Sequence, residues 1–206
     1  MANNIHAQSH HTAQRRPSTG SELVSLGVFT VIIAVVSTVC NMIGVLGPQI
    51  QPVGAVLAAI LNGIPFLLFL RRVHHFGLVT AMATLLGLIS AMLGHGLVGV
   101  PIAALVGLLA DAILRGGGYA DPRRGVLGYG VFGLYPLGNL LPLLFMRDAM
   151  VERYAGTPNE EWVRAFSEFF SASMILALGV LLFLGGLAGG WLGQRMARTY
   201  FSRAGL

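Results

Sequence analysis

Lysine is absent from this chain of 206 residues, and all 13 of its basic side chains are arginines. Without lysine no P-loop can be completed, and no such glycine-rich pattern occurs. Cysteine is almost absent as well. Cys40 stands alone inside an apolar run, which excludes an intrachain disulfide and a thiolate metal cluster. Charge of either sign is scarce: 10% of residues are charged, against about 25% in a soluble domain. Water is therefore not the main solvent of this chain. Between residues 23 and 70 there is no charged side chain at all.

What is present is apolar, 55% hydrophobic residues with a mean hydropathy of +0.74. The organising stretch is 76–118, FGLVTAMATLLGLISAMLGHGLVGVPIAALVGLLADAILRGGG. Two apolar runs, 76–93 and 97–114, flank Gly94, His95 and Gly96. At about 1.5 Å per residue each run reaches roughly 27 Å, close to the roughly 30 Å of hydrocarbon in a bilayer. A two-glycine break between such runs predicts a helical hairpin turning at a membrane surface.

The rest of the chain reads the same way. Residues 1–20 form a polar tail with His6, His10, His11, Arg15 and Arg16, expected to be a disordered cytoplasmic segment rather than a metal site. Thr19 and Glu22 have capping-box spacing and predict a helix start. The run that follows is too long for a signal-peptide core and lacks a small-residue cleavage site, so it is expected to remain as a first span. GPQIQP at 47–52 is the one place to turn before residue 70, giving spans 23–46 and 53–70, the second containing Asn62 and Pro65. RRVHH at 71–75 leads into the hairpin. A glycine-rich connector, 115–124, precedes span five at 125–146, which Pro136 and Pro142 interrupt on either side of Asn139. The connector 147–170 is acidic. In it Thr157, Pro158 and Glu160 predict the N-cap, first residue and capping-box acid of a short interfacial helix carrying Trp162, Phe166 and Phe169 on one side. Span six, 171–193, completes a membrane domain taken as 21–206.

Arginine placement sets the expected orientation. The tail, the connectors after spans two and four, and the C-terminus carry 10 arginines; the other side carries 3, all in the acidic connector. The positive-inside rule then puts both termini in the cytoplasm, with Gln49, Gln51, His95 and the acidic connector outside. The same placement makes the pI of about 10.1 a consequence of topology, not of nucleic-acid binding. The expected fold class is an all-α integral membrane protein, a six-transmembrane-helix bundle with N and C termini cytoplasmic.

Few residues could carry chemistry. Asp111 is the only acid inside an apolar run, and it lies roughly 24 Å along the helix from His95, so the two cannot form one site. With Arg115 one turn on, Asp111 is expected to form an ion pair at the cytoplasmic boundary. His95 between two glycines leaves room for a ligand or loop to approach. Ser37, Ser90, Ser171 and Ser173 lack the surroundings of a serine hydrolase. His74 and His75 are adjacent and point apart, unlike a metal pair one turn apart. Glu160, Glu161 and Arg164 fall one residue short of an EExxxR protease pattern. Neither an enzyme nor a metal or other cofactor is expected. Span five, with two prolines around Asn139 and Arg147 at its outer end, resembles the discontinuous helices that form transporter sites. Arg147 could hold a carboxylate or phosphate there or pair with Asp148 as an anchor. Two small-residue ridges remain: Thr30, Ala34 and Thr38 in span one, and Gly185, Gly189 and Gly193 in span six, with Gly186 and Gly190 beside them.

GHG at 94–96, GLLADAI at 107–113, GNLLPLLFMRDAM at 138–150 and GGLAGGWLGQRM at 185–196, with six short spans, resemble the Trep_Strep (MptD) family over residues 21–206. Its members are taken as S components of energy-coupling factor (ECF) transporters. The resemblance implies a substrate-binding subunit of an ATP-driven importer in a prokaryotic cytoplasmic membrane. It implies an outward pocket near Gln49, Gln51, His95, Asn139 and Arg147. It also implies docking on a transmembrane scaffold subunit through Thr30, Ala34 and Thr38, where such proteins carry an AxxxA ridge, with ATP hydrolysis in separate ATPase subunits. The alternative is an ATP-independent small-solute carrier or channel-like homo-oligomer joined through span six; an intramembrane enzyme ranks third.

Overall fold

A computed structural model describes residues 19–201; the N-terminal histidines, Arg15, Arg16 and Arg203 lie outside the described residues. These residues form helices and turns, without a strand. The first helix, α1 (Thr19–Asn41), continues through a 3-10 turn, Met42–Leu46. After the turn at 47–50 come α2 (Gln51–Leu61) and α3 (Gly63–Leu70). The hairpin is α4 (Leu78–Ser90), a π turn (Ala91–His95) and α5 (Gly99–Arg115). Next come α6 (Pro122–Phe132), a 3-10 turn (Tyr135–Asn139) and α7 (Pro142–Phe145). Two short helices, α8 (Arg147–Arg153) and α9 (Glu160–Phe169), precede α10 (Ala172–Met196).

Length and apolarity alone qualify four segments to cross a membrane: Thr19–Leu46, Gln51–Leu70, Leu78–His95 and Ala172–Thr199. The other two expected spans differ, one in length and one in continuity. α5 is an unbroken helix of 17 residues with Asp111 and Arg115 near its end. Span five is in three pieces, because Pro136 and Pro142 cannot donate to a helical ladder and Gly133 and Gly138 interrupt it. Span two breaks at Asn62, where the N–H is shared between Ala58 O and Ile60 O; Pro65 leaves the Leu61 carbonyl without its helical donor.

Around the bundle, α1 packs on α2, α3 and α4, α4 on α5, α5 on α6, α6 on α10, and α10 back on α2 and α3. The ring is closed. Its centre is filled by an aromatic column in which Phe66 packs on Tyr129 at 4.8 Å and on Phe132 at 4.6 Å between ring centroids, and the Tyr129 hydroxyl donates to Ala59 O at 2.6 Å. Val24, Val28, Val31, Val35 and Val39 of α1 remain exposed, a face suited to lipid.

α10 is the common neighbour, and its glycines explain how it serves two sides. A Cβ on Gly189 would lie 2.5 Å from Ile60 O, and one on Gly193 2.5 Å from Gly63 O, so this row accepts the broken span two. A Cβ on Gly186 would lie 2.9 Å from Gly130 Cα, and one on Gly190 3.2 Å from Val126 Cα, so the adjoining row accepts α6. The hairpin closes similarly, with Gly87 against Ala103 and Gly107 against Ala83. Close approach is what holds helices together where lipid removes the hydrophobic drive. The span-six ridge is thus used for packing within the bundle, the reading that its small-residue spacing favours over self-association.

Three local expectations also change. The first helix is present from Thr19, the first described residue, but Glu22 is no capping-box acid: it is buried and turned to the 71–77 connector. Thr157 does not cap α9, since its hydroxyl bonds Tyr154 O at 2.7 Å and the helix begins at Glu160. The Glu160 carboxylate does reach back, accepting from Gly156 N at 2.7 Å. The predicted aromatic side of α9 is present: Trp162 stacks on Phe166 at 4.8 Å, and Phe166 packs on Phe170 at 4.6 Å.

Gly189→Leu should lower stability by about 3 kcal/mol, because its side chain meets backbone that cannot move aside. Gly27→Ala on the exposed face of α1, with nothing within 4 Å of the new Cβ, should raise stability by up to about 1 kcal/mol. Thermal unfolding of both variants in detergent checks the pair.

Candidate functional site

Both broken spans deliver polar groups to one place. Asn62, at the break of span two, donates through Nδ2 to Ser37 Oγ of α1 at 2.8 Å. Tyr135, at the break of span five, has its hydroxyl 3.3 Å from the same Ser37 Oγ. Asn62 is 4% exposed, and its Oδ1 has no hydrogen-bond partner among the described residues. Leaving such an atom unpaired in a core costs about 1–3 kcal/mol. From Ser37 the polar contacts continue toward the 47–50 turn: Asn41 Nδ2 donates to Ser37 O at 2.8 Å, and Gln51 Nε2 donates to Asn41 Oδ1 at 3.1 Å. Gln51 is therefore placed in this chain of contacts, whereas Gln49 is exposed on the turn.

A second polar group lies at the same end of the bundle. The hairpin turns through Gly94 and Gly96, both at positive φ (102° and 81°), which a side chain would strain. His95 between them is exposed, its Nδ1 3.2 Å from Ser90 O. Asn139 Nδ2 donates to Ser90 Oγ at 2.8 Å. Ser90 thus joins His95 and Asn139. Gly99 allows this, since a Cβ there would lie 2.9 Å from Asn139 Oδ1.

Arg147 is engaged elsewhere. Its guanidinium donates to Phe170 O at 3.3 Å, so the anchor is a backbone carbonyl rather than Asp148. It lines an open groove of about 470 Å³ between α8 and α9 with Asp148, Glu152, Glu160, Arg164 and Glu168. Four carboxylates face two guanidiniums, so the groove does not favour a carboxylate or phosphate. Arg164 is paired with Glu160 at 3.1 Å. The Gly156 N–H and then Arg164 hold the Glu160 carboxyl below its ordinary value.

At the opposite end, both acids of the spans are structural. Asp111 is fully buried; its Oδ2 accepts from Gly77 N (2.7 Å), Thr80 N (3.2 Å) and Thr80 Oγ1 (3.1 Å), and its Oδ1 from Tyr119 OH (2.6 Å). A carboxylate from α5 thereby caps the N-terminus of α4, where the helix dipole favours negative charge. The expected ion pair with Arg115 is not formed: these four donors fill the carboxylate, and Arg115 lies outside over the Phe76 ring at 5.1 Å. Glu22 accepts from His74 N at 3.0 Å and bonds His75 Nδ1. Burial, and then the bond to Asp111, push the Tyr119 phenol well above its ordinary value.

The expected docking ridge of α1 is divided. Thr30 is buried and its hydroxyl bonds Leu26 O at 2.7 Å; Ala34 is half-buried against the core; Thr38 is exposed. Thr30 is thus withdrawn from a partner because residues 26, 30 and 33 form the inward face of α1. The sequence reading weighed Ser37 only as a hydrolase serine and did not single out Tyr135. Their signal was present in part, as polar residues in otherwise apolar spans near the breaks at Asn62 and Pro136.

A protein-family model described as "Hypothetical bacterial integral membrane protein (Trep_Strep)" matches residues 20–203. Comparisons with curated proteins and with solved structures gave no match.

Tyr119 carries a pH prediction. Its phenol is raised in the fold, so its stabilising bond is fully present below the unfolded value, near 10.0, and is lost as pH rises through the folded value. Tyr119→Phe should cost about 2 kcal/mol at neutral pH and flatten this alkaline loss, as read from thermal unfolding across pH.

Proposed function

The chain belongs to the Trep_Strep family of bacterial integral membrane proteins, and we propose that it is the substrate-binding subunit of an ECF-type importer. In this reading six spans cross the cytoplasmic membrane with both termini inside, α5 and the broken span five included. A small solute is taken from outside and held within the bundle. A transmembrane scaffold with ATPase subunits then drives its release inward, so the chain itself is not an enzyme. The observation that carries this reading is the meeting of two helix breaks at Asn62 and Tyr135 around a part-buried, incompletely bonded polar cluster. Backbone breaks at membrane depth are tolerated where they line a site. His95, Asn139 and Gln49 stand at the outer rim, with Gln51 leading inward.

Scaffold docking is assigned to the exposed side of α1 around Thr38, with Ala34 at its edge. An ATP-independent homo-oligomer joined through span six is less well supported, because the glycines of α10 are occupied by α2, α3 and α6.

Affinity capture of tagged protein from its native membrane is expected to bring down a membrane scaffold and ATPases. Thr38→Trp should reduce that recovery by about tenfold or more while leaving thermal stability unchanged; a pure homo-oligomer that moves solute unaided would reject the importer reading. Impermeant labelling of a cysteine placed at His95 should occur only from outside the cell, and labelling from the cytoplasmic face would overturn the proposed orientation.

A further inference from the structure

The chemistry of the part-buried cluster narrows what it can take. No Asp, Glu, Arg or His occurs between residues 23 and 70 or between 125 and 146, the stretches that supply α2, α3 and all but the first turns of α1 and α6, with the breaks beside them. Every polar contact leading to Asn62 is neutral: Gln51 to Asn41, Asn41 to the Ser37 backbone, Asn62 to Ser37, and Ser37 to Tyr135. An ion brought to this depth would find no counter-charge, and an unpaired charge in such surroundings is strongly disfavoured. A hydroxyl or N–H would find the free Asn62 Oδ1, in a residue that is 4% exposed. Turning the amide over exchanges its two polar atoms and still leaves one free, so the preference for a neutral hydrogen-bonding group survives either setting. Tyr135 packs on Phe132 at 5.5 Å between centroids, giving the cluster an aromatic side for an apolar or flat body.

We propose that the Ser37–Asn62–Tyr135 cluster seats an uncharged polar solute bearing a hydroxyl or N–H, admitted along the Gln51–Asn41–Ser37 track, and that ionic solutes are refused. The proposal rests on the solute-binding reading above and names the class of that solute. Arg147 and the acidic groove lie apart from this track and play no part in the choice.

Cysteine labelling tests the proposal without knowledge of the natural solute. In a Cys40→Ala background, full-length protein in lipid nanodiscs carries Asn62→Cys, Ser37→Cys or, as a control, Met82→Cys, a fully buried residue on α4 that makes none of these polar contacts. The probes are hydroxyethyl, trimethylammonioethyl and sulfonatoethyl methanethiosulfonates, one neutral and two charged. The expected result is modification of Asn62→Cys and Ser37→Cys by the neutral reagent about a hundredfold faster than by either ion, with Met82→Cys inert. Asn41→Leu should slow the neutral reaction about tenfold by interrupting the track. Equal reaction with the ionic reagents would overturn the uncharged class while leaving the importer reading to stand on its copurifying partners. Cysteines at both 62 and 37 as inert as the control would overturn the track itself. Loss of the scaffold partners with labelling as expected would instead reject the importer and keep the neutral site.

Discussion

The contact between the two glycine rows of α10 and its neighbours on either side is what the remainder of the bundle depends on. In lipid, apolar side chains gain nothing from leaving water, so helices adhere only where their backbones come close enough for dense van der Waals contact. Gly189 and Gly193 bring in span two at its break, and Gly186 and Gly190 bring in α6 just before the break of span five. Two imperfect helices are thereby fixed against one straight one. Their breaks can then be tolerated, and the polar groups those breaks carry are set at a common position.

The few charges work at the ends. Asp111 and Glu22, from α5 and α1, both reach to the connector between α3 and α4 and the first turn of α4, and accept from N–H groups there. This ties three parts of the bundle together at the arginine-rich end and leaves neither acid available for chemistry. Arg115 and Arg195 instead cover Phe76 and Trp191, as cations at a membrane boundary do. Charge is thus spent on closing one end, and the interior between the breaks is left neutral. That neutrality is the property most relevant to what the interior can hold.

Much of the rim was legible in the sequence, and little of the centre. The GHG turn, the breaks at Pro136 and Pro142, and the aromatic side of α9 follow from local chemistry: glycine at positive φ, proline without an N–H, apolar spacing along one helix. His95 and Asn139 were expected at one end, though not their link through Ser90. By contrast Asp111 has Arg115 in good sequence register, yet its partners are Gly77, Thr80 and Tyr119, because the side of α5 that bears it faces α4. Thr30, Ala34 and Thr38 share a spacing but not an environment, since the inward face of α1 runs through Thr30 and passes Thr38 by.

By itself the sequence determined that lipid surrounds this chain, where its apolar segments begin and end, and which of them cannot be regular helices. Those properties depend on composition and on residues close together along the chain. Only the tertiary structure decided which polar groups meet: Ser37, Asn62 and Tyr135 lie 25 and 98 residues apart where they touch. Their meeting is set by which side of each helix the glycines of α10 let inward, a choice made between helices and written in no single one of them.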